Sequence, residues 1–218
     1  PILLYRPTGE SGDFEKANFP IGVEGGKTST CPTQNLMEAY DMKDGTPFVW
    51  NNQSNPYDNR DPRMKYTIVC NEMKWPVDPV EIWEGGTNGL PLQNATTTGY
   101  YLKKYVNNTI SFEAGSTVTK KQHNWVLFRY GEILLNYAEA MINAFHDPNY
   151  KDAVYNMSAR EAVNQIRGRT NISLPGFPSD ITEKDFVKRL KNERRVELAF
   201  EGHRFWDVRR WKELGQTA

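Results

Sequence analysis

Glu193-Arg194-Arg195-Val196-Glu197-Leu198-Ala199-Phe200-Glu201-Gly202-His203-Arg204-Phe205-Trp206-Asp207-Val208-Arg209-Arg210-Trp211 is the stretch on which the reading of this chain turns. Just upstream, Phe186, Val187 and Leu190 begin an apolar helix face that Leu198 continues. That helix starts at the capping box Thr182-Glu183-Lys184-Asp185 and is expected to run towards Glu201. Three, four and seven residues after Leu190 stand Glu193, Arg194 and Glu197, so charges fall where the stripe requires core. Half-buried ions persist only when paired and hydrogen-bonded. Glu193, Glu197 and Glu201 share one face at steps of four and would repel one another if left unpaired. The expected partners are Arg204, Arg209 and Arg210, on a short helix of about Arg204 to Leu214 that follows the break at Gly202. Asp207 is placed to reach Arg204 or Arg210 three residues away. The pattern reads as an ion-pair lock between two helices. Glycosidases also need paired carboxylates, but carboxylates among so many arginines have lowered pKa values and make poor general acids. No catalytic residue is assigned.

Upstream the helical pattern continues back to about residue 123. Leu127, Tyr130, Gly131, Leu134, Ala138, Met141 and Phe145 recur at three and four, which predicts a helix from about Asn124 to Phe145, stopped by Asp147-Pro148-Asn149. Ser158-Ala159-Arg160-Glu161 is a second capping box, followed by the stripe Ala159, Ala162, Val163 and Ile166 to about Thr170. Two antiparallel helices touching through small residues resemble one tetratricopeptide unit, which needs neighbours to bury its faces.

Before Lys120 the composition shifts to Gly, Pro, Asn and Thr. Turn-rich segments such as 22–27 and 84–89 separate short β-like runs at Lys65–Cys70, Val80–Trp83 and Gly99–Val106, with one short helix at Thr33–Tyr40. The expected fold is therefore mainly α. Residues 123–218 form a tetratricopeptide-like helical portion, and residues 1–122 a loop-rich subdomain with a small β-sheet. Arg60-Asp61-Pro62-Arg63 reads as a local salt-bridged turn: Asp61 is held extended by Pro62, and the two arginines point apart.

Lys+Arg and Asp+Glu both number 27, which argues against nucleic acid. Two cysteines, Cys31 and Cys70, and three histidines form no metal-ligand spacing, so no metal or cofactor is expected; the cysteines are free thiols or one bridge. The mean hydropathy of −0.71 implies a modest core, yet 12% of residues are aromatic, so some rings lie near the surface. Such rings serve sugar binding or any other interface. The candidate ligand contacts are the loop aromatics Trp50, Tyr57, Trp75 and Trp83; for each, core packing is the stronger alternative. Trp50 adjoins Asn51, Asn52 and Gln53, whose amides both donate to and accept from hydroxyls. Trp125, Trp206 and Trp211 fall on expected helices and are assigned to packing.

The quoted C-terminal stretch resembles the signature of the SusD/RagB family. Phe128-Arg129-Tyr130-Gly131-Glu132-Ile133-Leu134-Leu135-Asn136-Tyr137-Ala138-Glu139-Ala140 is similar to that family's last repeat helix, with Gly131 where Ala is expected. Cys31-Pro32-Thr33-Gln34-Asn35-Leu36, Asn59-Arg60-Asp61-Pro62-Arg63 and Gly99-Tyr100-Tyr101 with Lys103-Lys104-Tyr105 match in order. The resemblance implies a surface protein of about twice this length, lipid-anchored to the outer leaflet of the outer membrane. It would cap a TonB-dependent transporter of the SusC type, hold glycan for import and perform no chemistry. This chain opens inside a strand-like run, Pro1 to Tyr5, without an initiator Met, a signal or an anchor, and is expected to be the C-terminal half. The runner-up is a scaffold or lid subunit of a transporter complex whose cargo is not sugar, peptide for example. Trp rings on an open face beside amides would favour glycan.

Overall fold

The computed structural model describes residues 1–51, 55–112, 119–213 and 215. Its helical layer is built from α4 (Tyr130–Phe145), α5 (Ala159–Arg167) and α6 (Glu183–Glu197). Both stretches mark helix starts, the first as a reciprocal capping box and the second as an N-cap alone. Ser158 Oγ accepts from the Glu161 amide while Glu161 accepts from the Ser158 amide, and Thr182 Oγ1 accepts from the Asp185 amide. α4 ends where His146 turns left-handed (φ 55°). Leu134, Leu135, Ala138, Met141 and Ile142 of α4 pack on Ala159, Ala162, Val163 and Ile166 of α5, with Phe186 and Leu190 of α6 closing the cluster. Fully buried alanines at 138, 159 and 162 let these helices approach. Each large side chain buried here, Leu135 for example, contributes about 1.5–3 kcal/mol. The short α7 (Arg204–Arg210) follows.

The stretch expected to open the α4 helix is instead a strand. β4 (Lys121–Arg129) pairs antiparallel with β1 (Ile2–Ser11), from Ile2 opposite Arg129 to Ser11 opposite Lys121. Local helical spacing cannot reveal a partner more than a hundred residues away. The Pro1–Tyr5 run is a strand as read, from Ile2 onward. Two further helices, α1 (Asp13–Asn18) and α2 (Gln34–Ala39), lie in the loop region, α2 capped by Thr33. The expected strand at Lys65–Cys70 is mostly helix: Asp61 accepts from the Arg63 amide and Pro62 takes the first turn of α3 (Pro62–Thr67). Only β2 (Ile68–Val69) is extended, and it pairs with β3 (Tyr101–Leu102), the remnant of the run expected at Gly99–Val106. No strand forms at Val80–Trp83, where the adjacent Lys74 and Pro79 make a single bridge. Cys31 and Cys70 are free thiols. The class is as read: mainly α, with a repeat-like helical part and a loop-rich part holding a small sheet.

The ion-pair lock exists, with other partners. Arg63, 5% exposed, lies 2.5 Å from Glu193, 2.9 Å from Glu197 and 2.7 Å from Asp61. Arg167 adds a contact of 2.7 Å to Glu193. Arg129 and Arg169 stand 2.7 and 2.8 Å from Glu197. Glu201 is held by Arg129 at 2.6 Å and Lys104 at 2.7 Å. The acidic face of α6 therefore turns towards α3, β4 and the end of α5, not towards α7. Arg210 meets Asp207 at 2.8 Å, the expected i, i+3 pair, and otherwise reaches Glu139 of α4; Asp207 also takes Arg194 at 2.8 Å. Gly131 makes room for the lock, since a Cβ there would stand 2.6 Å from Arg129 Nη1 and 3.2 Å from Glu197 Oε1.

Burial opposes ionisation of Glu197, but Arg63, Arg129 and Arg169 outweigh it and hold its carboxyl at about 2. Its folded pKa lies below the unfolded ~4.3. The stabilisation is therefore complete above about pH 5 and is lost as pH falls towards 2; it amounts to roughly 3 kcal/mol. Glu197→Ala is expected to cost about 3–5 kcal/mol in urea melts at pH 7, because it strands buried arginines. The variant should also lose a large part of the wild-type fall in stability between pH 5 and 2. A wild-type melt at pH 7 would mark Glu197 as a solvated charge.

Candidate functional site

Arg60 is buried at the base of the candidate site. Its Nη2 donates to the carbonyls of Met37 at 2.7 Å and Tyr40 at 2.6 Å, capping the end of α2, and its guanidinium lies 3.7 Å from the Phe48 ring centre. Phe48 in turn meets Trp50 edge-on at 5.1 Å. The Trp50 indole Nε1 donates to Glu38 Oε1 at 2.7 Å, and that oxygen also accepts from Gln34 Nε2 at 2.9 Å. Gln34 Oε1 accepts from Tyr100 Oη at 2.7 Å, and Tyr57 stands edge-on to Tyr100 at 6.3 Å. Sequence-predicted Trp50 and Tyr57 are thus joined through Glu38, Gln34 and Tyr100. Trp50 is 53% exposed and is held at both edge and Nε1, so its orientation is fixed while much of the ring stays in solvent. Tyr57 is half-buried against the cluster around Met37 and Met64. Asn51, next to Trp50, is exposed; Asn52 and Gln53 lie outside the described residues.

Trp75 and Trp83 sit elsewhere. Trp83 is 48% exposed and opens the glycine turn, its carbonyl accepting from the Gly86 amide at 2.9 Å. Trp75 corrects the expectation of an exposed ring. It is 6% exposed, packed in the cluster of Phe19, Val69, Val80 and Tyr101, with the Lys103 ammonium 5.1 Å from its ring centre. The loops of this half close over the ring, which is among the largest side chains in their core. The packing assignment of the other tryptophans is also corrected in part. Trp125 and Trp206 are about two-thirds exposed. Trp125 lines a 410 Å³ apolar cleft with Phe14, Tyr105 and Phe200 because residue 125 is on a strand and not on a helix. Trp211 is half-buried and donates to Glu139 at 2.8 Å.

Burial is not the only force on Glu38. The hydrogen bonds from Gln34 and Trp50 lower its pKa first, with Arg60 and Arg195 adding smaller attraction, so it stays an acceptor at neutral pH. Sequence reading missed Gln34, Glu38, Phe48 and Tyr100. Gln34 and Glu38 were legible as an i, i+4 pair on α2; Phe48 carried no local signal. Among the described residues no group of His, Cys, Asp and Glu is arranged to hold a metal ion, and no helix is long and apolar enough to cross a membrane.

The sequence model of the SusD family matches residues 7–218. A SusD-like protein of Formosa agariphila is 37% identical over 91 residues, 39% of this chain and 16% of that protein. A SusD-like protein from Bacteroides fragilis NCTC 9343 superposes with a TM-score of 0.76 at 27% identity, covering 97% of this chain and 43% of its own. A SusD-like carbohydrate binding protein from the same strain gives a TM-score of 0.78 at 26% identity, covering 97% of this chain and 41% of its own. The chain thus spans about two-fifths of those structures.

The placement of the rings separates their roles in stability. Trp75→Ala is expected to cost about 3–5 kcal/mol, the range for emptying a core site of an aromatic ring. Trp50→Ala and Trp83→Ala should each stay within about 1 kcal/mol of wild type in the same denaturant melts, as surface truncations do. Equal losses at all three positions would contradict the burial pattern.

Proposed function

Because this chain belongs to the SusD family, we propose that it captures oligosaccharide at the cell surface and passes it to a TonB-dependent outer-membrane transporter of the SusC type. The full-length protein is lipid-anchored in the outer leaflet in this reading. The observation that carries it is the fixed, half-exposed Trp50 ring beside Glu38 and Gln34. A flat ring packs on the C–H face of a pyranose, and the adjacent carboxylate and amide accept from or donate to its hydroxyls. Trp83, on the turn of the same loop-rich half, is the second platform. Tyr57 and Trp75 pack into the hydrophobic clusters of this half. The similarity to a SusD-like carbohydrate binding protein of B. fragilis supports this assignment.

A reading without catalysis is supported by the state of the clustered carboxylates. Glu193, Glu197 and Glu201 are all held below the usual range by arginines, joined by Lys104 at Glu201, that outweigh burial, so none has a proton to give near neutral pH. A glycosidase needs one such group with a raised pKa.

Transport favours fast release, so the affinity is expected in the micromolar to millimolar range, about 4–8 kcal/mol. Calorimetric titration of the full-length protein against a glycan panel tests this. Trp50→Ala should weaken binding about tenfold, the effect of losing roughly 1.4 kcal/mol of stacking, with the melting temperature unchanged. Normal glycan binding by both Trp50→Ala and Trp83→Ala would remove these rings from the site. Binding of peptides and no glycan would replace the sugar reading with the peptide one.

A further inference from the structure

α6 has two charged faces. The inner one carries Glu193 and Glu197 in the lock. On the outer one, Lys184, Lys188, Lys191 and Arg195 follow at steps of four, three and four and so stand in one row. That row forms a wall of a 660 Å³ cleft, whose opposite side is Asn35 and Glu38 of α2 with Phe48. Arg204, at the start of α7, enters the same cleft.

The acids that line this cleft already have partners, one of them within the row. Glu213 pairs with Lys191 at 2.7 Å. Glu38 takes Gln34 and Trp50. Asp41 faces Arg167 at 3.7 Å, and burial pushes its carboxyl up to about 6. Arg189 donates to the Gly45 carbonyl at 3.0 Å and lies over Phe177. Arg195 and Arg204 differ. Both are half-buried and near one another, and neither has an ion pair among the described residues. Burial first, and then the repulsion of Arg204, hold the Arg195 guanidinium below the usual arginine value. Two partly desolvated guanidiniums that line one cleft and repel one another, with Glu38 attracting Arg195 and no carboxylate in ion-pair contact with either among the described residues, suit an anion placed between them. Ordinary solvated lysines such as Lys184 and Lys188 would carry no such meaning alone; here they extend the positive field along the cleft.

We propose that this cleft binds the anionic substituent of an acidic oligosaccharide, a uronate carboxylate or a sulfate ester, between Arg195 and Arg204. The choice of a sugar as its carrier rests on the glycan reading above. The cleft adjoins Glu38 and Phe48, the two groups that hold Trp50, so one oligosaccharide can stack on the ring and place its charged unit on α6.

The test is calorimetric titration of the full-length protein with an oligogalacturonate, a sulfated galactan oligosaccharide and a neutral galactan oligosaccharide of the same length, with methyl sulfate as the bare anion. Wild type, Arg195→Gln, Arg204→Gln and the exposed pair Lys184→Ala/Lys188→Ala are compared. At least one charged sugar should bind about tenfold or more tightly than the neutral one, and the preference should shrink as salt is raised. Which charged sugar it is separates uronate from sulfate ester. Arg195→Gln or Arg204→Gln should remove that preference and leave neutral binding alone. Each should melt at or above the wild-type temperature, because a like-charge contact is removed; a clearly lower melting temperature would mark the arginine as a structural group and count against the site. The lysine pair should weaken charged ligands severalfold without touching the fold. Equal binding of neutral and charged sugars, or a preference intact in both arginine variants, overturns the proposal and leaves the glycan reading standing. Binding of no sugar at all removes the glycan reading, and methyl sulfate then decides the anion site: binding lost in Arg204→Gln keeps it, and no binding overturns it.

Discussion

Arg63 is a cation with almost no access to water, held by the carboxylates of Asp61, Glu193 and Glu197. Removing an arginine and two glutamates from water costs several kcal/mol per ion, and only close, multiply hydrogen-bonded geometry offsets it. A network of this kind adds little over a well-packed apolar core, yet breaking it is costly. Its effect on this chain is therefore one of registration. Arg63 belongs to the loop-rich part, Glu193 and Glu197 to the helical part, and the other arginines arrive from β4 and from the end of α5. One set of charges fixes where the loops sit on the helices.

The candidate binding face inherits that placement. Asn192 of α6 donates to the Ala39 carbonyl at the end of α2, next to the Met37 and Tyr40 carbonyls capped by Arg60. Arg60 positions Phe48, Phe48 positions Trp50, and Trp50 closes back on Glu38 of α2. Each link is short, so a displacement of α2 from α6 reaches the indole ring. The same α6 that anchors the lock on one face presents its cation row on the other, which puts the stacking platform and the positive cleft on one rigid support.

Local patterns carried the helical part well. The capping boxes at Ser158 and Thr182 and the small-residue stripe of α5 are decided within a single turn or two, and the structure follows them. The misread elements depend on distant partners. Asn124–Arg129 continues the helical spacing backwards from α4 but is strand because Ile2–Ser11 lies beside it. Lys65–Thr67, the front of the β-like run to Cys70, is helix because Asp61 caps the turn before it. The charges at Glu193 and Glu197 announced an ion-pair lock, while the identities of Arg63, Arg129, Arg167 and Arg169 were set by tertiary packing that spacing does not encode. The same holds for the rings: Trp50 and Trp75 look alike in sequence, and only the packing around Val69, Val80 and Tyr101 buries one of them. The cation row of α6 was visible in sequence as a helical periodicity, whereas the pairing of Arg195 with Arg204 across the break at Gly202 was not.

The central claim is that the buried lock holds the loop-rich face in register with α6. Hydrogen exchange of Arg63→Met against wild type tests it directly. The account predicts that the amides of Met37 and Tyr40, which donate within the α2 turn, lose protection by about tenfold or more, while those of the α4–α5 core around Ala138 and Val163 keep theirs. Unchanged protection at α2, or an equal loss in both regions, would contradict it.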